Sequence, residues 1–372
     1  MTIAIDGNEA NIKNRVGIGQ FAYELLVQFE KMRPEGVRFQ IFLKNPPLSD
    51  MPRSRKGFEY VVFGPKPLWT QFALPFRLFF KGQRPDVFFS PSHYAPRFSP
   101  VPTVVSVMDL SYLFFPELFK QSDLRQLRSW TAYSVKNAKR VITISSSSKD
   151  DIIKAYHIPA KKISVVYSGI KPGVSLTPHL YSMEELKAKY HIENSYILFV
   201  GTLQPRKNIS RLIEAYAKLP QSIKDKIDLV VVGKKGWLYE DILAAPEKFG
   251  VESSVKFLNF VPDEDLSELY KHAMCFVLPS LYEGFGLPVL EAMKHNCPVI
   301  TSNVSSLPEA GGEAALYVDP LKVSDITDKL EKLLTDGDLR KKLIEKGKKQ
   351  ITKFSWEKTA KETLDVLKEV GN

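Results

Sequence analysis

Ser280–Glu291, SLYEGFGLPVLE, follows the apolar run Met274–Leu278 and opens a short helix, so it reads as one strand–loop–helix unit of an α/β protein. Pro288 stands near the first helical position, where a missing N–H costs nothing. Gly284 and Gly286 are expected to let backbone amides approach a ligand with no Cβ in the way. Free N–H groups at a helix start after a glycine loop favour an anion. Glu283 and Glu291 flank those amides, and an ionised carboxylate only accepts hydrogen bonds, which suits ribose or hexose hydroxyls. Phosphate-binding amides between two such acids fit a sugar nucleotide. A plain strand–turn–helix connection with solvated acids fits the same letters.

About 80 residues upstream the same syntax recurs. Tyr196–Val200 (YILFV) is a continuous apolar run, fit for a buried parallel strand. It leads through Gly201-Thr202-Leu203-Gln204-Pro205-Arg206-Lys207-Asn208 into a helix over Ile209–Lys218. Asn208 is expected to cap that helix, with Leu212, Ile213 and Tyr216 as its apolar face. Arg206 and Lys207 then stand at the carboxyl edge of a parallel sheet, where α/β proteins bind ligands. Two cations there could hold a diphosphate at about 4 kcal/mol per contact, at an effective dielectric of about 20 and about 4 Å. A helix dipole adds only about 0.3–1 kcal/mol.

GTLQPRKNISRLIEAYAKL, VKFLNFVPDEDLSELY, SLYEGFGLPVLEAM and PVITSNVSSLPEAGGEAALYVDP together resemble the retaining glycosyltransferases of family four, which have the GT-B fold. The likeness covers the C-terminal half nearly without gaps. It extends more weakly through GNEANIKNRVGIGQFAYELL and VVSVMDLSYLFFPELF. Within the family the chain looks most like the mannosyltransferase branch of O-antigen and related polysaccharide assembly. The resemblance implies two Rossmann-like doubly wound domains facing a cleft. It implies that Arg206 and Lys207 bind the donor diphosphate, that Glu283 meets the transferred sugar, and that Glu291 meets the ribose. It also brings the amides of Gly284, Phe285, Gly286 and Leu287 to phosphate and sugar, and Phe260-Val261 near the base. The reaction implied is transfer of a hexose, mannose from GDP-mannose first, to a glycan or lipid-linked acceptor. A UDP-sugar-dependent glucosyl or N-acetylglucosaminyl transferase and an inactive sugar-nucleotide binder stay open.

With 372 residues, the chain has room for two domains with separate cores. The expected division is 1–172 for the acceptor and 173–354 for the donor, with a hinge through Gly169-Ile170-Lys171-Pro172-Gly173. By resemblance, helix 355–372 crosses back to the first domain. Strand-like and helical runs alternate throughout, from Thr2–Asp6 and helix Gly19–Met32 onward, which argues parallel sheets. No apolar run reaches the ~20 residues of a membrane span. MTIAIDGNE lacks a basic n-region and reads as a first strand, so a cytoplasmic protein is expected. Cys275 and Cys297 fit buried free thiols.

Charge is unequal. Residues 1–172 carry 25 Lys and Arg against 13 Asp and Glu, a net +12, whereas residues 173–372 carry 27 against 29. A basic domain suggests an anionic partner. PLWTQFALPFRLFFKGQ, Pro67–Gln83, flanked by Lys66 and Arg84, suits either a helix at the inner face of an anionic membrane or one packed on the sheet. Pro75 interrupts its helical pattern. Nucleic-acid-binding motifs do not accompany the charge, so a nucleic acid is not expected.

Two acidic triplets, Asp263-Glu264-Asp265 and Asp336-Gly337-Asp338, read as a helix cap with first-turn acids and as a turn, so no metal or other cofactor is expected. The loop Asn14–Gly19, with Gly17, Ile18 and Gly19, precedes a helix, and in the family it lies over donor phosphates and acceptor. At Val107-Met108-Asp109-Leu110 the family usually carries His-Asp; here Met108 cannot move a proton. Asp109 becomes the candidate to orient the acceptor, and His93, in SPSHYAPRF, could enter the site instead.

Overall fold

In the computed structural model, which describes residues 1–80, 82, 84–170 and 182–372, every strand-to-strand pairing within the two sheets is parallel. The chain divides into two units, Met1–Gly169 with Phe354–Asn372, and Ile170–Lys353. Lys171, Pro172 and Gly173 of the expected hinge, and Lys81 and Gln83 of the basic segment, lie outside the described residues. No helix among the described residues is long and apolar enough to cross a membrane.

The first unit holds β1 (Thr2–Asp6), β2 (Arg38–Leu43), β3 (Phe58–Val62), β4 (Val87–Ser90), β5 (Thr103–Ser106), β6 (Arg140–Thr143) and β7 (Ile163–Val165), ordered β3-β2-β1-β4-β5-β6-β7. Ile3, Ile5, Phe39, Ile41 and Phe89 pack against helix Ile18–Met32 through Phe21, Leu25 and Phe29. The closing helix Trp356–Gly371 belongs to this core. Trp356, Ala360, Leu364 and Leu367 are buried in it, and the Trp356 ring meets Phe21 edge-on at 5.9 Å. Ser355 starts that helix by accepting from the Lys358 N–H at 3.2 Å, and Thr359 Oγ1 donates to the Tyr167 carbonyl at 2.7 Å.

The second unit holds β8 (Ser195–Val200), β9 (Ile227–Val232), β10 (Val255–Leu258), β11 (Cys275–Leu278), β12 (Val299–Ser302) and β13 (Ala315–Val318), ordered β10-β9-β8-β11-β12-β13. All six residues of β9 and all four of β11 are buried, as strands covered by helices on both faces must be. Ser182 and Glu185 form a reciprocal cap on helix Met183–Tyr190. Asp336 accepts from the Leu339 N–H at 2.8 Å to start helix Gly337–Ile351.

Between Pro67 and Gln83 the sequence left a choice between a packed helix and a surface one, and Pro75 weakened both. Pro75 does not break the helix. It is the third residue of helix Ala73–Phe79, in the first turn, where backbone N–H groups have no partner in the helix. Ala73, Leu74 and Leu78 pack on Phe42 and Phe88 of the sheet, while Phe72, Phe76, Phe79 and Phe80 are exposed.

Candidate functional site

Both sheets reverse direction about one central pair of strands, and loops leaving the carboxyl ends of such a pair diverge into a ligand crevice. In the second unit the pair is β8 and β11. After β8 comes a tight 3-10 turn, Pro205–Lys207; after β11 the chain runs through Pro279 to Gly286, which begins helix Leu287–Lys294. The Leu281 N–H donates to the Arg206 carbonyl at 2.8 Å, joining the two loops.

Their side chains converge on Glu283. Lys207 Nζ donates to Glu283 Oε1 at 2.5 Å, Arg206 Nη1 to Oε2 at 3.1 Å, and Ser280 Oγ to Oε1 at 2.7 Å. Arg206 also donates to the Tyr282 carbonyl. The Glu283 backbone is held as well, its N–H by Ser305 Oγ at 3.0 Å and its carbonyl by Ser306 Oγ at 2.8 Å. Lys207 and Glu283 are only 9% and 7% exposed, so this is a buried ion pair rather than a surface one. Burial by itself would raise the carboxyl pKa. The Lys207 and Arg206 charges and the bonds from Lys207 and Ser280 overcome it and hold the group down to about 2. Glu283 is therefore an acceptor at any working pH and never a proton donor.

Three residues expected to act side by side are thus brought into direct contact. Glu291, inside helix Leu287–Lys294, has another neighbour: Tyr270 Oη donates to its Oε2 at 3.3 Å. Gly284 and Gly286 are buried, Phe285 is buried, and Leu287 is half-buried. Gly286 has a further reason to be glycine: its φ is +102°, and a Cβ built there would stand 2.8 Å from Leu307 Cδ2, so backbone shape and packing also favour the residue. Asn208 also differs from expectation. It holds the cap position at φ 61° but makes no side-chain cap; its Nδ2 instead donates to the Pro279 carbonyl at 3.0 Å and the Pro320 carbonyl at 2.7 Å. It clamps the loop after β8 to those after β11 and β13. Val261 is buried, and beside it Phe260 is exposed, with the Lys234 ammonium 4.9 Å from its ring centroid.

In the first unit the central pair is β1 and β4. At the end of β1 the buried Asp6 accepts from the Asn8 N–H at 3.0 Å and from Asn8 Nδ2 at 2.7 Å; burial, against those two bonds, pushes its pKa up to about 6. The loop that follows is anchored by Arg15, which donates to the Ala10 carbonyl at 2.5 Å and pairs with Asp50. Gly17, at φ 51°, caps helix Ile18–Met32; Ile18 is half-buried and Gly19 buried. After β4 comes His93, half-buried and edge-on to Tyr94 at 4.2 Å. Burial pulls its pKa down to about 4 against the upward pull of the Asp109 charge, so His93 is neutral at neutral pH and lies within the field of Asp109. Asp109, following β5, accepts from the Ser111 N–H at 2.8 Å. Met108 packs on the core, and its carbonyl accepts from Ser148 Oγ at 3.0 Å.

Both acidic triplets stand at helix starts, Asp336 capping helix Gly337–Ile351. Asp263, Glu264 and Asp265 form the first turn of helix Asp263–His272, although Pro262 rather than an acid holds the cap position. Asp265 is buried and accepts from Lys189 and Tyr190. Ser280, Ser305, Ser306 and Asp6 were not singled out from the sequence. The Ser305-Ser306 pair before Leu307-Pro308 reads only as a helix start, so its grip on Glu283 had no local signal.

The sequence matches the Glycosyl transferases group 1 family over residues 182–350 and Glycosyltransferase Family 4 over residues 16–173. It is 35% identical over 266 residues to the O-antigen chain mannosyltransferase B of Escherichia coli, covering 71% of this chain and 70% of that protein. It is 34% identical over 233 residues to the serotype-specific mannosyltransferase WbdA of Escherichia coli, covering 61% of this chain and 28% of that longer protein. Among solved structures, WaaG, a glycosyltransferase involved in lipopolysaccharide biosynthesis, superposes with a TM-score of 0.71 over 99% of each chain at 21% identity, which is a likeness of fold.

Proposed function

The chain belongs to the group 1, family four glycosyltransferases of the GT-B class, and from that premise we propose that it moves mannose from GDP-mannose to a glycan or lipid-linked acceptor with retention. The observation that carries the reading is the meeting of Arg206, Lys207 and Glu283 where the second sheet reverses. A diphosphate arriving there finds two cations already fixed in place by Glu283, so little side-chain freedom remains to be lost on binding. Glu283, held ionised, accepts hydroxyls of the transferred sugar while offsetting part of the cationic charge before the donor arrives. Glu291 accepts from the ribose, and the amides from Gly284 to Leu287 face phosphate and sugar. Val261 and Phe260 flank the base.

In the transfer, the glycosidic bond to the diphosphate breaks as the acceptor oxygen approaches from the same face. The departing phosphate takes the acceptor hydroxyl's proton. Arg206 and Lys207 stabilise the charge that develops on the leaving group, a task that needs no metal. Gly17, Ile18 and Gly19 form the loop that meets the acceptor. Asp109 orients the acceptor hydroxyl, and His93, neutral beside it, provides the imidazole that the Met108 position lacks. The relatives named as O-antigen mannosyltransferases support mannose as the sugar and a glycan as the acceptor. The positive excess of residues 1–172 supports a cytoplasmic enzyme in peripheral contact with an anionic membrane face.

Met108 favours a second reading, a sugar-nucleotide binder retired from catalysis. Thermal stabilisation and hydrolysis measured with GDP-mannose, UDP-glucose and UDP-N-acetylglucosamine separate these readings. GDP-mannose is expected to stabilise most and to be hydrolysed slowly. Stabilisation without turnover, even with acceptor, would favour the retired protein, and no stabilisation by any of the three would end the transferase reading.

A further inference from the structure

Helix Ala73–Phe79 is apolar on two faces, and only one of them meets the protein. Ala73, Leu74 and Leu78 fill the core beneath it. On the opposite side Phe72, Phe76, Phe79 and Phe80, spaced as one helical stripe, are 62%, 68%, 52% and 52% exposed. Leu68, at φ 50° and 60% exposed, extends the stripe toward the preceding loop. A cluster of this size is unusual on the surface of a monomer and marks a contact surface.

The surroundings identify the partner. Between Glu59 and Asp109 the sequence has five Lys and Arg and one acid, Asp86. Lys66, Arg84 and Arg97 are exposed. Arg84 donates to the Leu78 and Phe79 carbonyls at 3.3 and 3.2 Å, which holds its charge at the end of the stripe. Arg97 joins from the neighbouring loop: Thr70, Gln71, Arg97, Trp130 and Tyr133 line one shallow depression, and the guanidinium lies 5.4 Å from the Tyr133 ring centroid. Next to it Phe98 is 78% exposed. Two copies meeting through this face would set like charges together. An aromatic stripe rimmed by cations is instead complementary to a bilayer with anionic headgroups, the rings entering the interface and the cations meeting phosphate.

We propose that the Leu68–Phe80 stripe, with Lys66, Arg84 and Arg97 at its rim, is a membrane-docking face of the first unit. It rests on the transferase reading only for its purpose, which is to bring the enzyme to acceptors held at a lipid surface. Docking itself needs no sugar nucleotide. Full-length protein is sedimented with vesicles of phosphatidylglycerol and phosphatidylethanolamine, and with phosphatidylcholine vesicles. The wild type is expected to bind the anionic vesicles, and more weakly at high salt. Phe72→Ser with Phe76→Ser should lower partitioning roughly tenfold or more. Lys66→Gln with Arg97→Gln should lower it on anionic vesicles alone. Both double variants should hydrolyse GDP-mannose as the wild type does, which separates loss of docking from loss of the donor site; Phe79→Ser alone serves if the first pair unfolds. A wild type that stays in the supernatant with every vesicle would overturn the proposal. So would serine variants that bind unchanged, or a wild-type dimer in ultracentrifugation that the serine variants dissolve.

Discussion

Between β8 and β11 two cations share one carboxylate beneath the surface and keep a net positive charge, whereas between β1 and β4 a neutral histidine and a loop ending at Gly17 occupy the equivalent place. The sheets share one strand order up to their sixth strand, so the contrast comes from the loops. A diphosphate carries the same charge in every nucleotide sugar, and a fixed, pre-paired arrangement suits it. An acceptor presents a hydroxyl to be aligned, for which hydrogen-bonding side chains such as Asp109 are enough. On the proposed function, charge does the work in the second unit and orientation in the first.

Glu283→Ala should have the largest effect. It removes the shared partner of Lys207 and Arg206 and leaves a buried ammonium without its carboxylate. Breaking a buried pair in this way costs about 3–5 kcal/mol, so the second unit should melt earlier and turnover should vanish. Glu283→Gln should restore much of the melting temperature, since the amide oxygen can still accept from Lys207, but little of the turnover. If calorimetry shows Glu283→Ala as stable as the wild type, the pair is not what holds the two loops together.

Next come the cations. Lys207→Ala and Arg206→Ala should each weaken GDP binding, measured by calorimetric titration, by roughly 10–100-fold, as expected for hydrogen bonds to a charged ligand. Lys207 should cost more, because it is the more buried and its loss also leaves Glu283 poorly compensated. Glu291→Ala should weaken GDP by about tenfold through the ribose hydroxyls. An equal loss from the two cation variants and none from Glu291 would leave the diphosphate site standing and the ribose assignment wrong.

Acid should separate the units by a smaller margin. The His93 pKa falls from the ordinary 6.5 to about 4 in the folded chain. Between those values the unfolded chain binds a proton that the folded one refuses, so stability is full above pH 6.5 and declines as pH falls toward 4. The decline should amount to roughly 1–3 kcal/mol, and His93→Gln should abolish it. Glu283 has the lower window. Its pKa drops from 4.5 to about 2, so its contribution is complete above pH 4.5 and is lost as pH falls through 2. Melts recorded from pH 7 to pH 3 would break the comparison if His93→Gln left the upper slope unchanged.

What was legible in the sequence divides along the same line. Strand and helix limits read from apolar runs agree with the structure to within about two residues at most of the elements named, because periodicity is local. Strand Thr2–Asp6 coincides with its expected limits, and helix Ile18–Met32 begins one residue before its expected start at Gly19. Arg206, Lys207 and Glu283 stood out through their places in βα loops. That they bind one another did not, since 76 residues separate Lys207 from Glu283 and only the strand order brings them together. Asn208 misled for the same reason: a capping residue by type, it is taken by carbonyls 71 and 112 positions away. The aromatic stripe was visible as letters, but which rings stay outside depends on the sheet beneath.

The smallest effects belong to Asp109 and Met108, and they test the first unit most sharply. Asp109→Asn keeps an oxygen to accept from the Ser111 N–H, so the loop should hold and the melting temperature should stay within about 1–2 °C, as for a change well under 0.5 kcal/mol. Only the charge beside His93, proposed to orient the acceptor, is lost. Turnover should therefore fall several-fold to tenfold at unchanged GDP affinity, and the His93 pKa, read by NMR, should fall further once the upward pull is gone. Met108→His asks whether the unit lacks anything. The Met108 side chain packs on the core, so an imidazole there must either find a hydrogen-bond partner or turn away, and folding should tolerate it at modest cost. If His93 with Asp109 already supplies what the acceptor side needs, Met108→His should leave turnover within a few-fold of the wild type, and His93→Gln should lower it in the wild type but not in Met108→His. If instead the wild type binds GDP-mannose, turns over nothing, and gains activity from Met108→His, then the first unit has given up catalysis while the second has kept its donor site, and the division of labour drawn here would mark a retired enzyme rather than a working one.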